Sequence, residues 1–150
     1  MRAFATLLVL LLLAACAPKN PSETPAPAPF STLKWTDLAG PAFTLSALSV
    51  KGQAVALPAA RRPAIQFGAQ GRVSGTAGVN RFSAEAVLDG GTGLTWAGPA
   101  AVTKMAGPPE AMALEDAFLD ALQSVTRIEL AGGVLKLASA DGSARLEFTR

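Results

Sequence analysis

Short runs in which apolar and polar residues alternate recur from residue 32 to the end of the chain. Such alternation is typical of strands with one buried face, and the glycine-rich or polar connections predict antiparallel hairpins. A β-rich fold is therefore expected. The runs cover residues 32–35, 43–46, 53–57, 64–67, 72–75, 82–88, 94–96, 126–130, 134–138 and 144–148.

One segment, residues 110–125, has helical periodicity instead. Its apolar positions are spaced by four, four and three residues, so one face of a helix can be buried. Glu110, Glu115 and Asp116 lie in its first half, where negative charge favours the helix dipole. The pattern predicts an α+β fold, an antiparallel sheet curled into a partial barrel and packed against one main helix.

Residues 71–82 form a glycine-punctuated connection between two predicted strands. Gly75 and Gly78 suit a positive φ angle or a close approach of backbone, and Asn80 suits a side chain that bonds its own turn. The segment leads into a strand and lacks a glycine-lysine-serine/threonine ending. It is therefore not a phosphate-binding loop.

The amino-terminal residues predict export and lipidation. Residues 1–15 are a short positive start followed by an apolar run, which is typical of a signal peptide and too short to span a bilayer. Residues 13–16, LAAC, resemble the lipobox of bacterial lipoproteins, so we expect an acyl anchor on Cys16. Ala17 then favours the outer membrane. The alternative is a plain signal peptide cut elsewhere, which leaves a free thiol.

Composition sets the domain organisation. Residues 17–29 contain five prolines in thirteen residues, so residues 16–29 are a lipidated cysteine and a tether of about 40 Å, and residues 30–150 are one folded domain. The net charge is +2, and the basic and acidic residues are interspersed along the chain, which disfavours nucleic acid as a partner. There is no histidine and Cys16 is the only cysteine, so we expect no metal, cofactor or intramolecular disulfide.

Residues 75–82, GTAGVNRF, resemble the G-x-x-G-C-N-R-F signature of the META/HslJ family of small envelope proteins. Residues 103–106 and 115–122 follow at the family's spacing, and the resemblance runs from about residue 35 to 148. It implies an envelope protein linked to stress. The family's two cysteines are replaced by Val79 and Gly107. If those cysteines pair in relatives, Val79 should lie close to Gly107.

Candidate site residues have competing interpretations. Asn80 and Arg81 with Lys104 could form an interaction site, or Asn80 could cap its turn while the cations are solvated. Asp116 and Asp120 lie one helical turn apart and could be an acid/base pair or two solvated carboxylates. Two tryptophans, Trp35 and Trp96, could line a ligand cavity or belong to the core.

These observations favour a non-catalytic envelope lipoprotein that is a binding or interaction module. Its expected partners are the membrane, through the acyl anchor on Cys16, and an unknown envelope protein or apolar ligand. The expected location is the outer membrane, facing the periplasm. One alternative is a carrier of an apolar ligand or acyl chain, and a second is a hydrolase that uses carboxylates.

Overall fold

The computed structural model describes residues 32–150. The predicted signal peptide, Cys16 and the tether lie outside the described residues. The strands are β1 (Phe43–Val50), β2 (Gln53–Ala54), β3 (Ala64–Phe67), β4 (Arg72–Thr76), β5 (Arg81–Leu88), β6 (Leu94–Trp96), β7 (Ala101–Val102), β8 (Val125–Ala131), β9 (Val134–Ser139) and β10 (Ala144–Thr149). The helices are α1 (Trp35–Leu38) and α2 (Pro109–Ser124), with a 3-10 turn at Ala69–Gly71.

The strands form an antiparallel sheet in the order β6-β5-β4-β3-β1-β10-β9-β8, while β2 pairs with β1 and β7 with β5. The two outer strands, β6 and β8, approach each other at one antiparallel bridge between Gly93 and Arg127. One further hydrogen bond joins Ile128 N to Thr92 O at 2.8 Å. The sheet is thus a barrel that is nearly closed, with one unsealed seam.

The register of the strands defines two ends of the barrel. The connection at residues 77–80, the β7–α2 loop and the β9–β10 turn lie at the end that α2 covers, which we call the α2 end. The β5–β6 turn and the 3-10 turn lie at the opposite end together with α1, which we call the α1 end. The first described residue, Thr32, lies near Gly90 there, with its Cγ2 4.0 Å from the position that a Cβ atom on Gly90 would occupy. No helix among residues 32–150 combines the length and hydropathy that a bilayer crossing requires.

Side chains fill the interior of the described barrel. The ring of Phe118 from α2 lies 5.8 Å from that of Phe82 and 6.3 Å from that of Phe148. At the α1 end, the Phe67 ring lies 6.2 Å from the rings of Phe43 and Trp35. Large aliphatic side chains occupy the space between these aromatic groups, and the fully buried ones are Leu38, Leu45, Ile65, Leu122, Ile128, Leu135, Leu137 and Leu146.

The predicted fold class, α+β with a curled antiparallel sheet and one main helix, is confirmed. One predicted strand, residues 32–35, is wrong, because the chain there enters α1. The Asp37 carboxylate accepts a hydrogen bond from Lys34 N at 2.9 Å, which favours a helical turn over an extended strand. No strand is predicted at β7, since its two residues are too few to establish a period.

Candidate functional site

A buried asparagine connects three segments at the α2 end. Asn80 is 1% exposed, and its side chain uses all of its hydrogen-bonding capacity within the protein. Its Nδ2 donates to Met105 O at 3.0 Å and to Glu115 Oε1 at 2.6 Å. Its Oδ1 accepts from Thr103 Oγ1 at 2.8 Å and from Met105 N at 2.7 Å. The side chain therefore bonds the β7–α2 loop and α2, and not its own turn as predicted.

Glu115 completes this network from α2. Glu115 is 3% exposed, and its Oε2 accepts hydrogen bonds from Val79 N at 3.1 Å and from Asn80 N at 2.6 Å. With the bond from Asn80 Nδ2, three neutral amide donors solvate the buried carboxylate in place of water. We call Asn80, Glu115, Thr103 and Met105 the Asn80 clamp. It fixes the 77–80 connection, the β7–α2 loop and α2 relative to one another.

The clamp leaves three neighbouring side chains exposed. Arg81 and Lys104 are both exposed, and their segments are joined because Thr103 N donates to Arg81 O at 3.0 Å. Met105 is 54% exposed although both its N–H and its C=O are bonded to buried Asn80. The structure thus places Arg81 and Lys104 of the predicted set on the surface and Asn80 beneath them. We call Arg81, Lys104 and Met105 the Met105 surface.

Val79 lies against Gly107, as predicted. A Cβ atom built on Gly107 would sit 2.6 Å from Val79 Cγ2. Because a Cβ–Cγ bond adds at most about 1.5 Å, the two Cβ positions are within the separation that a disulfide bridges. The pair occupies a position where cysteines could be joined, next to the Asn80 clamp.

Two glycines explain the backbone of the 77–80 connection. A Cβ atom on Gly75 would overlap Ala64 O and lie 2.9 Å from Phe82 Cε1. Gly78 has a φ of +125°, which residues with a side chain rarely adopt. Both predicted requirements, close approach and positive φ, are therefore met, each by one residue.

The other predicted candidates lie apart from the clamp's buried atoms. Asp116 and Asp120 are exposed on α2. Trp35 and Trp96 are both half-buried and pack against the core, which agrees with the core interpretation. A surface groove of about 460 Å³ also lies along β5, where Arg72 and Glu85 occupy paired positions of neighbouring strands.

Three residues of the site, Thr103, Met105 and Glu115, are not among the predicted site residues. The sequence pattern indicates only that the negative charge of Glu115 interacts favourably with the helix dipole. One signal for its burial is present, since Ala111 and Leu119, one turn before and after it, flank the apolar stripe. The sequence carries no comparable signal for Met105, because its exposure depends on contacts with Asn80.

Residues 36–150 match the model of the META domain family. The chain belongs to the META domain family. A search of curated proteins returns no match. Among solved structures, this META domain resembles an NMR structure of a protein from Burkholderia xenovorans, with 29% identity and a TM-score of 0.67, covering 89% of this chain and 98% of that one.

Two further structures are similar to this META domain protein. An NMR structure of another protein shares 28% identity with a TM-score of 0.57, covering 78% of this chain and 94% of that one. A crystal structure of a DUF4847 family protein from Bacteroides vulgatus ATCC 8482 shares 15% identity with a TM-score of 0.54, covering 75% of this chain and 93% of that one. The last likeness shows the fold alone.

Proposed function

We propose that this META domain protein is a non-catalytic binding module of the bacterial envelope. In this proposal it is a lipoprotein of the outer membrane that faces the periplasm, with its acyl anchor on Cys16 and a role in envelope stress. The signal-like residues 1–15, the lipobox-like residues 13–16 and the proline-rich tether support the location.

The Met105 surface is the observation that carries the binding function. A buried Asn80 and a buried Glu115 use their polar groups to hold the loop that exposes Lys104 and Met105. A loop held in one conformation loses less entropy when a partner binds it. Methionine and arginine are also enriched at protein interfaces relative to the rest of the surface. Asn80 acts in this site as a positioning residue.

Other functions draw less support from the geometry. The filled interior offers an acyl chain no space within the described barrel, which disfavours a carrier. A carboxylate hydrolase would rely on Asp116 and Asp120, whose side chains are exposed on α2. Carboxylates that are exposed to water in this way are usually just solvated.

Site-specific photocrosslinking in the native envelope tests the proposal. A crosslinking residue at position 104 of the full-length protein should give a discrete adduct, whereas one at exposed Glu129 on β8 should give only diffuse background. The Asp116→Ala and Asp120→Ala changes should leave the adduct intact. An identical pattern from positions 104 and 129 would overturn the assignment of the Met105 surface.

Lipidation is tested separately. Metabolic labelling with a fatty-acid analogue should mark the wild-type protein and not the Cys16→Ser variant. Equal labelling of the two proteins would contradict the anchor, and it would leave the crosslinking result to be judged independently.

A further inference from the structure

The α2 end carries four exposed cations in neighbouring segments. Ala64 and Arg81 pair with Thr76 from opposite sides, so their backbones are about 10 Å apart. Arg61 and Arg62 precede Ala64 and are separated from it by Pro63. Lys104 follows Thr103, whose N–H is bonded to Arg81 O, so it lies beside Arg81 on the next segment. We call Arg61, Arg62, Arg81 and Lys104 the cationic row. Glu110, in the first turn of α2, is an exposed acid nearby.

Arg61 is one of three non-glycine residues with a positive φ angle among residues 32–150, together with Lys51 and Gln70. Its φ of 57° lies in the left-handed region, although it is not part of a tight hairpin turn. Residues held in this region are strained, and they are often found at ligand-binding and other functional segments. Arg61 O is 4.0 Å from the Cβ position of Gly78, which places this strained residue beside the connection that leads to Asn80.

Met105 adds an apolar contact beside the row. Among the described residues, Val87 and Met105 are the large hydrophobic side chains with the greatest exposure, at 60% and 54%. Val87 lies on β5 near the α1 end, whereas Met105 follows Lys104 directly. A partner that fits this surface therefore presents negative charge together with an apolar side chain.

The position of the row favours a protein over a lipid surface. The described chain starts at the α1 end, where Thr32 lies near Gly90, and the eight residues of β5 span about 27 Å between the two ends. The anchor proposed at Cys16 is thus joined to the end of the barrel opposite the row. Peripheral membrane contacts also use a broad apolar face, and here one exposed methionine accompanies the cations.

We propose that the cationic row and Met105 together bind an acidic segment of a partner protein, a stretch rich in aspartate or glutamate that carries an apolar side chain. This inference rests on the proposed binding function of the Met105 surface. The cations attract and orient the segment, while the apolar side chain packs on Met105 and slows its release.

A peptide-binding measurement tests the partner class. The full-length protein in detergent micelles is titrated into a labelled short peptide that alternates glutamate and glycine around one leucine. We expect binding that weakens as salt rises. Lys104→Glu and Arg81→Glu should each weaken it about fivefold, and Met105→Gln by a similar factor.

Matched variants and a matched peptide provide the controls. Lys136→Glu on β9 and Val87→Gln on β5 remove an exposed cation and an exposed apolar group elsewhere, and they should leave the Kd unchanged. The same peptide with glutamine for glutamate should bind at least about tenfold more weakly. Equal binding of the two peptides would overturn the inference. So would a loss of affinity with Lys136→Glu as large as that with Lys104→Glu.

A membrane contact is a distinct outcome. A dye at position 104 of the protein anchored in phosphatidylglycerol vesicles should be quenched by quencher-labelled lipid no more than a dye at position 87. Stronger quenching at position 104, without peptide binding, would replace the acidic partner by a lipid surface. The envelope crosslink from position 104 does not use the peptide. It therefore tests the proposed binding function independently, even if position 104 turns out to contact lipid.

Discussion

The two ends of the barrel are closed by different chemistry. At the α2 end, the buried polar groups of Asn80 and Glu115 join three segments by short hydrogen bonds. At the α1 end, Leu38 is fully buried and the Arg150 guanidinium lies 4.1 Å from the centroid of the Phe43 ring. The α2 end depends on directed bonds between buried side chains. The α1 end depends on apolar area, the cation–π contact and one hydrogen bond from Arg150 Nη2 to Leu38 O at 2.9 Å.

The difference matters because the two kinds of contact fix structure to different degrees. Apolar packing is not directional, so an end that it closes accepts other side chains of similar volume. A buried hydrogen-bond network requires each donor to face its acceptor, and a single mismatch leaves unpaired groups. The α2 end is therefore the one that can hold an irregular loop in a single conformation.

The largest expected effect comes from an isosteric change in the clamp. Asn80→Asp keeps the shape but removes the Nδ2 donor, so Met105 O loses its partner and a second carboxylate faces Glu115. We expect the free energy of unfolding at neutral pH to fall by about 4 kcal/mol, measured by urea denaturation. A loss below about 1 kcal/mol would show that the network contributes little.

Leu38 provides the matching test at the α1 end. Leu38→Ala opens a cavity at a fully buried position and should cost about 3 kcal/mol. Leu38→Met, which conserves volume, should cost less than about 1.5 kcal/mol in the same urea experiment. If Leu38→Met were as damaging as Asn80→Asp, the proposed contrast between the two ends would be lost.

A new covalent link tests the geometry beside the clamp. Because Val79 and Gly107 are in contact, the Val79→Cys and Gly107→Cys double variant should form a disulfide on mild oxidation. The oxidised protein should be more stable than its reduced form by about 2–4 kcal/mol. Thiol titration and denaturation with and without reductant measure both quantities. A pair that stays reduced under oxidising conditions would contradict the contact.

Gly107→Ala should be destabilising by about 1–3 kcal/mol, because its Cβ atom would lie 2.6 Å from Val79 Cγ2. Adding Val79→Ala removes the clashing methyl groups. The double variant should therefore be more stable than the sum of the two single changes predicts, as a double-mutant cycle measures. Strict additivity of the two changes would show that the cost of Gly107→Ala does not come from a clash with Val79.

The smallest effect is expected for an exposed polar contact at the α2 end. Two hydrogen bonds lower the pKa of Asp141 from 3.8 to about 2. The larger contribution comes from Ser139 Oγ and the next from Ser143 N. A depressed carboxyl pKa stabilises the fold above the unfolded pKa, and this contribution disappears as pH falls through about 2. Wild type and Asp141→Asn should thus differ slightly at neutral pH and converge in acid. A difference that persists below that pH would contradict this origin.

The sequence predicts the elements of this fold better than it predicts the clamp. Periodicity over five or more residues was enough to locate β5 and α2, because burial of one face repeats along each element. The two residues of β7 are too short for such a pattern. The clamp joins Asn80 to Glu115, which are 35 residues apart, and no local pattern reports a contact over that separation.

The central claim is that the clamp holds the loop that exposes Met105, and amide hydrogen exchange measures this directly. Met105 N donates to buried Asn80 Oδ1 at 2.7 Å, so its amide in the full-length protein should exchange within about tenfold of β5 amides such as that of Phe82. Asn80→Ala should abolish this protection. Exchange of the wild-type Met105 amide at the rate of an unprotected loop would contradict the account.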